Sequence, residues 1–240
     1  RNFFAPAPHI PQLPESEVRR LYPLHRINIL SSTYFGYTMF YLVRNNLAAV
    51  SKDMEHALGY DHAMVGNILA ISALSYGVGK FFMGSLSDRS DPRKFMAFGL
   101  LLSALCNFAF GHLANYHVHL ALWCLNGLIQ GMGWPTCGRC LGHWFSPRER
   151  GTVFAIWNTA TNVGGGLAGL LAAEAAARSP WGWQAAFYFP AVIATFGAAI
   201  LFWRLRDTPQ SVGLPPVEQY NDDFTEAERR GETHERELTT

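Results

Sequence analysis

The chain has 240 residues, a formal net charge of +1 and a hydrophobic fraction of 49%. A balance so near neutrality gives no reason to expect a nucleic-acid partner. The average hides two kinds of sequence: residues 1–26 and 205–240 are polar and rich in charge and proline, whereas long, almost charge-free apolar runs lie between them.

A bilayer core of roughly 30 Å needs about 20 apolar residues of helix. Six stretches qualify, near Ile27–Val50, Ala63–Leu86, Phe95–Ala114, Val118–Trp144, Thr152–Ala177 and Trp183–Trp203. They are apolar nearly all round, unlike the one-faced helices of soluble domains. The expectation is an all-α membrane protein: a segment over 1–26, a six-helix bundle over 27–204, and a tail or inter-domain linker over 205–240. No secretory leader is expected, because the first 26 residues hold no apolar core.

The connections alternate in charge. Arg19, Arg20 and Arg26 precede the first span; Arg89, Arg93 and Lys94 follow the second; Arg148 and Arg150 follow the fourth; Arg204 and Arg206 follow the sixth. The other three loops hold only Lys52 and Arg178. This positive-inside bias puts both termini in the cytoplasm.

Charges inside a membrane are costly and point to function. In the first span, Tyr34, Tyr37, Tyr41 and Arg44 are spaced to share one helical face. Arg44 lies about 25 Å along the helix from Ile27 at 1.5 Å per residue. A guanidinium is always charged and suits bidentate phosphate binding; the competing reading is an arginine that snorkels to the outer surface. Tyr76 and Lys80 share a face of the second span, from which Lys80 could face the same cavity or reach the cytoplasmic headgroups. In the fourth span, Pro135 predicts a kink, and Gln130 and Trp134 lie one turn apart as candidate cavity lining. Arg139 and His143, nearer the cytoplasm, read as structural. In the fifth, Asn158, Thr161 and Asn162 fall on one polar face above Gly164-Gly165-Gly166. Between the second and third spans, Gly84, Asp88, Arg89 and Arg93 form a charged turn, in which Asp88 could hold a helix N-terminus or pair with arginines. Cys137 and Cys140 form a lone C-x-x-C without a second pair to complete a metal site. No nucleophile–base pair or metal set emerges, so neither an enzyme nor a cofactor is expected.

The segment Gly84–Lys94 between the second and third spans resembles the cytoplasmic loop of the major facilitator superfamily. Phe35-Gly-Tyr with Tyr41-Leu-Val-Arg44, Gln130-Gly-Met-Gly-Trp-Pro, Trp157-Asn with Asn162-Val-Gly-Gly-Gly, and Asp207-Thr-Pro-Gln-Ser-Val-Gly-Leu-Pro-Pro are similar to the organophosphate:phosphate antiporter family within it, and most of all to its glycerol-3-phosphate-carrying members. The resemblance implies the first half of a twelve-helix transporter in a bacterial inner membrane, exchanging a phosphate ester for inorganic phosphate by alternating access. Arg44 matches the family's first-half substrate arginine, and Tyr37, Tyr41, Tyr76 and Lys80 match its supporting residues. Thr161 stands where those glycerol-3-phosphate carriers have a histidine, and Asn45 where they have a lysine. The second substrate arginine belongs to the seventh helix, so a C-terminal six-helix half is the expected partner. The alternatives are a sugar-phosphate sensor, an inactive half-transporter, or a facilitator for another small solute.

Overall fold

A computed structural model describes residues 3–222; the rest of the expected tail, 223–240, lies outside the described residues. The first helix, α1 (Glu15–Leu42), begins well ahead of Ile27. Its charged beginning stays helical because Val18 and Tyr22 continue the buried face and find an apolar partner in the later chain, Tyr22 stacking on Tyr220 at 3.8 Å. The span expected to run unbroken to Val50 instead stops at Leu42. A turn over 43–45 leads to α2 (Asn46–Ala49) and α3 (Ser51–Leu58).

The next helices start where their caps dictate. Asp61 accepts from the Met64 N–H at 2.7 Å before α4 (His62–Asp88). Asp91 caps α5 (Pro92–His112), accepting from the Arg93 N–H at 3.0 Å; Asp88, the residue expected to hold a helix start, is an exposed end of α4 instead. Asn115 caps α6 (Tyr116–Gln130). The fourth span is two helices, with α7 (Gly133–Trp144) following a break at Gly131–Met132. The break falls ahead of Pro135 because proline offers no N–H to the Gly131 carbonyl and its ring crowds that group. Pro147 opens α8 (Pro147–Arg178), where Glu149 accepts from the Ser146 N–H at 3.1 Å. A 3-10 turn at Gly182–Gln184 leads into α9 (Ala185–Arg204), and α10 (Val217–Asn221) closes the described chain.

Six rods result, α6 and α7 counting as one, with α4 on α6, α5 on α9 and α1 on α8 as the main pairs. Among the described residues, three helical segments are long and apolar enough to cross a membrane on length and composition alone: His62–Asp88, Pro92–His112 and Gly182–Arg204. The other three rods fall short for separate reasons: α1 has a charged beginning, the fourth rod is divided, and α8 is diluted by asparagine, threonine and glycine. Large apolar side chains such as Phe81, Phe82, Phe196 and Trp203 are mostly exposed, as on a bundle solvated by lipid rather than water.

The end bearing both chain segments is tied by polar contacts. Arg139 pairs with Asp207 at 2.9 Å, and the guanidinium also donates to the carbonyls of Ser87 and Ser90. The Ala7 N–H donates to Asp207 Oδ2 at 3.1 Å, and the Trp144 indole to the Asp207 carbonyl at 3.0 Å. Arg150 donates to the carbonyls of Gly142 and Phe145 at the end of α7, satisfying groups a helix leaves open. At the opposite end, buried His119 donates from Nε2 to the Phe110 and Leu113 carbonyls at 3.1 and 2.8 Å, so its Nδ1 accepts from the Tyr60 hydroxyl at 3.0 Å.

Two outcomes test this packing. A Cβ on Gly131 would lie 2.4 Å from the Gly79 carbonyl carbon, a backbone atom that cannot yield; Gly131→Val is expected to destabilise by about 1–3 kcal/mol or more, read as a lower melting temperature in detergent. Burial pushes the Asp207 carboxyl above its ordinary value against the pull of Arg139 and the Ala7 N–H. A carboxyl raised by folding holds its proton more readily folded than unfolded, so this corner gains stability as pH falls from the raised value towards the ordinary one. Arg139→Ala strands that carboxylate and is expected to cost about 3–5 kcal/mol at neutral pH. The gap in melting temperature from the parent should narrow on acidification.

Candidate functional site

The break after Leu42 places Arg44 in a turn at the end of α1, not on its face as the spacing predicted. The guanidinium still reaches the tyrosines. It lies over the Tyr41 ring at 3.9 Å and over the Tyr76 ring at 4.6 Å, a stacked geometry in which the ring faces attract the cation. The Tyr37 and Tyr76 hydroxyls are 3.5 Å apart, joining α1 to α4. Lys80, one turn along α4, holds its ammonium 5.1 Å from the rings of both Tyr76 and Trp134, facing the bundle's aromatic column. Trp157 is buried beneath, packed against Tyr37 at 4.8 Å and Trp134 at 6.5 Å. Among the described residues, no carboxylate pairs with Arg44 or Lys80.

Two close approaches make this assembly. A Cβ on Gly164 of α8 would stand 2.7 Å from Tyr41 Cβ, so glycine there lets α8 lie against α1 at the tyrosine. The Gly79–Gly131 contact likewise brings α4 onto the break in the fourth rod, setting Lys80 above Trp134.

The expected lining divides. Tyr37, Tyr41, Arg44, Tyr76, Lys80 and Trp134 form one connected set. Asn158 and Asn162 are exposed on α8, and the Thr161 hydroxyl donates to the Asn158 carbonyl at 2.8 Å. That face adjoins the set through Gly165, near which the Asn45 amide lies. Gln130 is turned away: it is buried and donates to Ser103 of α5 at 3.2 Å. Of the charged turn, Gly84 and Asp88 line a cleft of roughly 540 Å³ with Trp134, Arg139, His143 and Phe154. Arg93 stacks over Phe202 at 5.0 Å and lies 3.7 Å from Asp91, and Arg89 caps the end of α4. The cleft reaches Trp134, and from there rings and cations lead step by step to Arg44. A wider groove of about 700 Å³ between α5 and α9, lined by Phe108, His112, Trp181, Tyr188, Phe189 and Val192, has almost wholly apolar walls and lies away from both cations. It suits hydrocarbon, not an anion.

Sequence reasoning passed over Asn46, Asn107 and Asn126. All three are fully buried beside the α1 break, and the signal was there to read: an amide inside an apolar run must find a partner.

Residues 33–236 match the family described as the Major Facilitator Superfamily. The chain is 40% identical to the glycerol-3-phosphate transporter of Bacillus subtilis (strain 168), covering 100% of this chain and 54% of that protein. It is 39% identical to the probable hexose phosphate transport protein of Chlamydia pneumoniae, with 100% and 54% covered. It is 37% identical to the membrane sensor protein UhpC of Escherichia coli (strain K12), with 90% and 49% covered. The chain thus spans about half the length of the curated relatives it matches. In fold it is similar to a bacterial homologue of the human lysosomal transporter Spinster, inward-facing and unoccupied, at a TM-score of 0.70 and 18% identity over 78% of this chain and 44% of that one.

A cation stacked on rings, with no counter-ion among the described residues, is suited to a small anion with several oxygens. Arg44→Lys keeps the charge but loses the planar fork. Equilibrium binding of inorganic phosphate is expected to weaken about tenfold or more, within the worth of charge-assisted bonds; an unchanged affinity would make Arg44 a structural residue.

Proposed function

The chain belongs to the major facilitator superfamily, and from that premise we propose that it is the N-terminal six-helix half of a transporter that exchanges a phosphate ester of the glycerol-3-phosphate kind for inorganic phosphate by alternating access. The carrying observation is Arg44: a guanidinium held by aromatic rings inside an apolar bundle, with no carboxylate beside it among the described residues. An unpaired charge in such surroundings is expensive, and a dianionic ligand removes that cost. Lys80 adds a second positive charge to the same column, Tyr37, Tyr41 and Tyr76 present phenols, and Trp134 with the polar face at Asn158, Thr161 and Asn162 lines the approach. The relatives named for glycerol-3-phosphate and hexose phosphate support the substrate class. Thr161, in place of the imidazole expected from the resemblance, leaves the ester's identity open to this site's own shape.

The partner half follows from what α4 leaves uncovered. Of its apolar window, 22% is buried, against 61% in α5. α4 and α8 flank the arginine, so a second six-helix half seated on them would close the site from the other side. Rocking one half against the other would expose that site to each face of the membrane in turn, and Gly84, Asp88, Arg89 and Arg93 lie where the two halves would separate. The basic end, where residues 3–14 meet 205–214, faces the cytoplasm of a bacterial inner membrane in this reading. It accords with ten basic residues there against two in the opposite loops. Residues 205–222 then form the start of an inter-domain linker, docked at their root by Asp207.

The test is exchange in proteoliposomes. Loaded with inorganic phosphate, they are expected to take up glycerol-3-phosphate only when both halves are present. Residues 1–240 alone should bind phosphate without moving it. Robust uptake by residues 1–240 alone would overturn the two-half mechanism. The relative named as a membrane sensor favours a second reading, in which the complete protein binds the ester and shows no flux.

A further inference from the structure

The carbonyl of Val43 is the pivot of the α1 break. Its amide group is the one that carries the Arg44 nitrogen, and a peptide unit is planar, so whatever fixes that oxygen fixes the plane that holds the Arg44 nitrogen and Cα, from which the side chain departs. Two side-chain amides do so. Asn107 of α5 donates to it at 2.9 Å and Asn126 of α6 at 3.1 Å. Asn107 also donates to the Ser103 carbonyl at 2.9 Å, and its own oxygen accepts from Asn46 at 2.8 Å. Asn46, opening α2, donates in turn to the Ala186 carbonyl of α9 at 2.9 Å. All three asparagines are fully buried.

We propose that Asn107 and Asn126, braced by Asn46, are positioning residues for anion binding: they clamp the Val43–Arg44 peptide and so hold the guanidinium over Tyr41 and Tyr76. The inference rests on the reading of Arg44 as an anion site. Three features separate it from general polar adhesion between helices, which buried amides also supply. Both donors converge on one carbonyl, Asn107 doing so in addition to its bonds with Ser103 and Asn46. That carbonyl is immediately before the sole arginine in the connected aromatic set. The arrangement is also kept at an energetic cost, because Asn126 Oδ1 and Asn46 Oδ1 are both buried with no partner among the described residues. A helix broken inside an apolar bundle exposes backbone groups that must be met within the protein; here they are met from α5 and α6, two helices that contribute nothing else to the cation column. The clamp therefore links the angle of the arginine to the packing of the rods behind it.

The test is a double-mutant cycle in the purified protein, with inorganic phosphate as the probe and equilibrium binding as the readout. Asn126→Ala removes one donor and leaves Asn107 on the carbonyl, so the break stays capped. In the parent it is expected to weaken phosphate binding about threefold to tenfold. In an Arg44→Lys background, where no planar fork remains to be aimed, the same change should matter less than about twofold. An equal loss in both backgrounds, or none in the parent, overturns the clamp while leaving Arg44 as the anion site. A parent that binds no phosphate overturns both readings together. Where Arg44→Lys binds too weakly to measure, modification of Arg44 by phenylglyoxal in ligand-free protein decides. A rate raised about threefold or more by Asn126→Ala supports the clamp, and an unchanged rate overturns it.

Discussion

The charge on Arg44 cannot be neutralised by losing a proton and, among the described residues, has no acid to lean on, yet it sits in a bundle whose core clusters are built of apolar and aromatic side chains. A guanidinium in that position needs ring faces, fixed geometry and access to an anion, and most of the unusual features nearby supply one of the three. Tyr41 and Tyr76 provide the faces. The asparagines around Val43 provide the geometry. The cleft that Trp134 lines adjoins the far end of the same column. Without the charge, the broken helix and the buried amides would only weaken the bundle.

The breaks in the first and fourth rods belong to the same design. A continuous helix would satisfy its own backbone and present a smooth side. Stopping α1 at Leu42 turns the chain so that its next side chains point across the bundle, and stopping α6 at Gln130 lets α4 approach through Gly79 and Gly131. The two breaks set the arginine and the tryptophan at the two ends of one aromatic column. Both depend on backbone contacts too close for any side chain larger than hydrogen, or on carbonyls met by amides from other helices.

The basic end uses charge differently. There the arginines are spent on carbonyls and carboxylates: Arg150 on the end of α7, Arg139 on Asp207 and the α4–α5 turn. These pairs tie residues 3–14 and 205–214 under the bundle. Anything that pulls on the segment after α9 therefore acts on α7, and α7 carries Trp134. Paired charges fasten one end of the molecule, while Arg44 and Lys80, among the described residues, lie against rings and not carboxylates.

Six apolar runs, their order, the basic loops and the unusual polarity of Arg44, Tyr41, Tyr76 and Lys80 within apolar runs were legible in the sequence, because the cost of polarity in hydrocarbon is a property of each residue and its near neighbours. The family could be read the same way, from motifs short enough to be local. Where α1 stops, which aspartate caps α5, and that Gln130 faces Ser103 instead of the cation column were not legible. Each depends on a partner far along the chain: Asn107 and Asn126 for the break at Val43, Phe4 for the Asp91 N–H, Ser103 for Gln130. Sequence thus determined which groups cannot be left alone in a membrane, and only the tertiary structure decided which of them satisfy one another, because hydrogen bonding is settled by distances between helices that no local pattern contains.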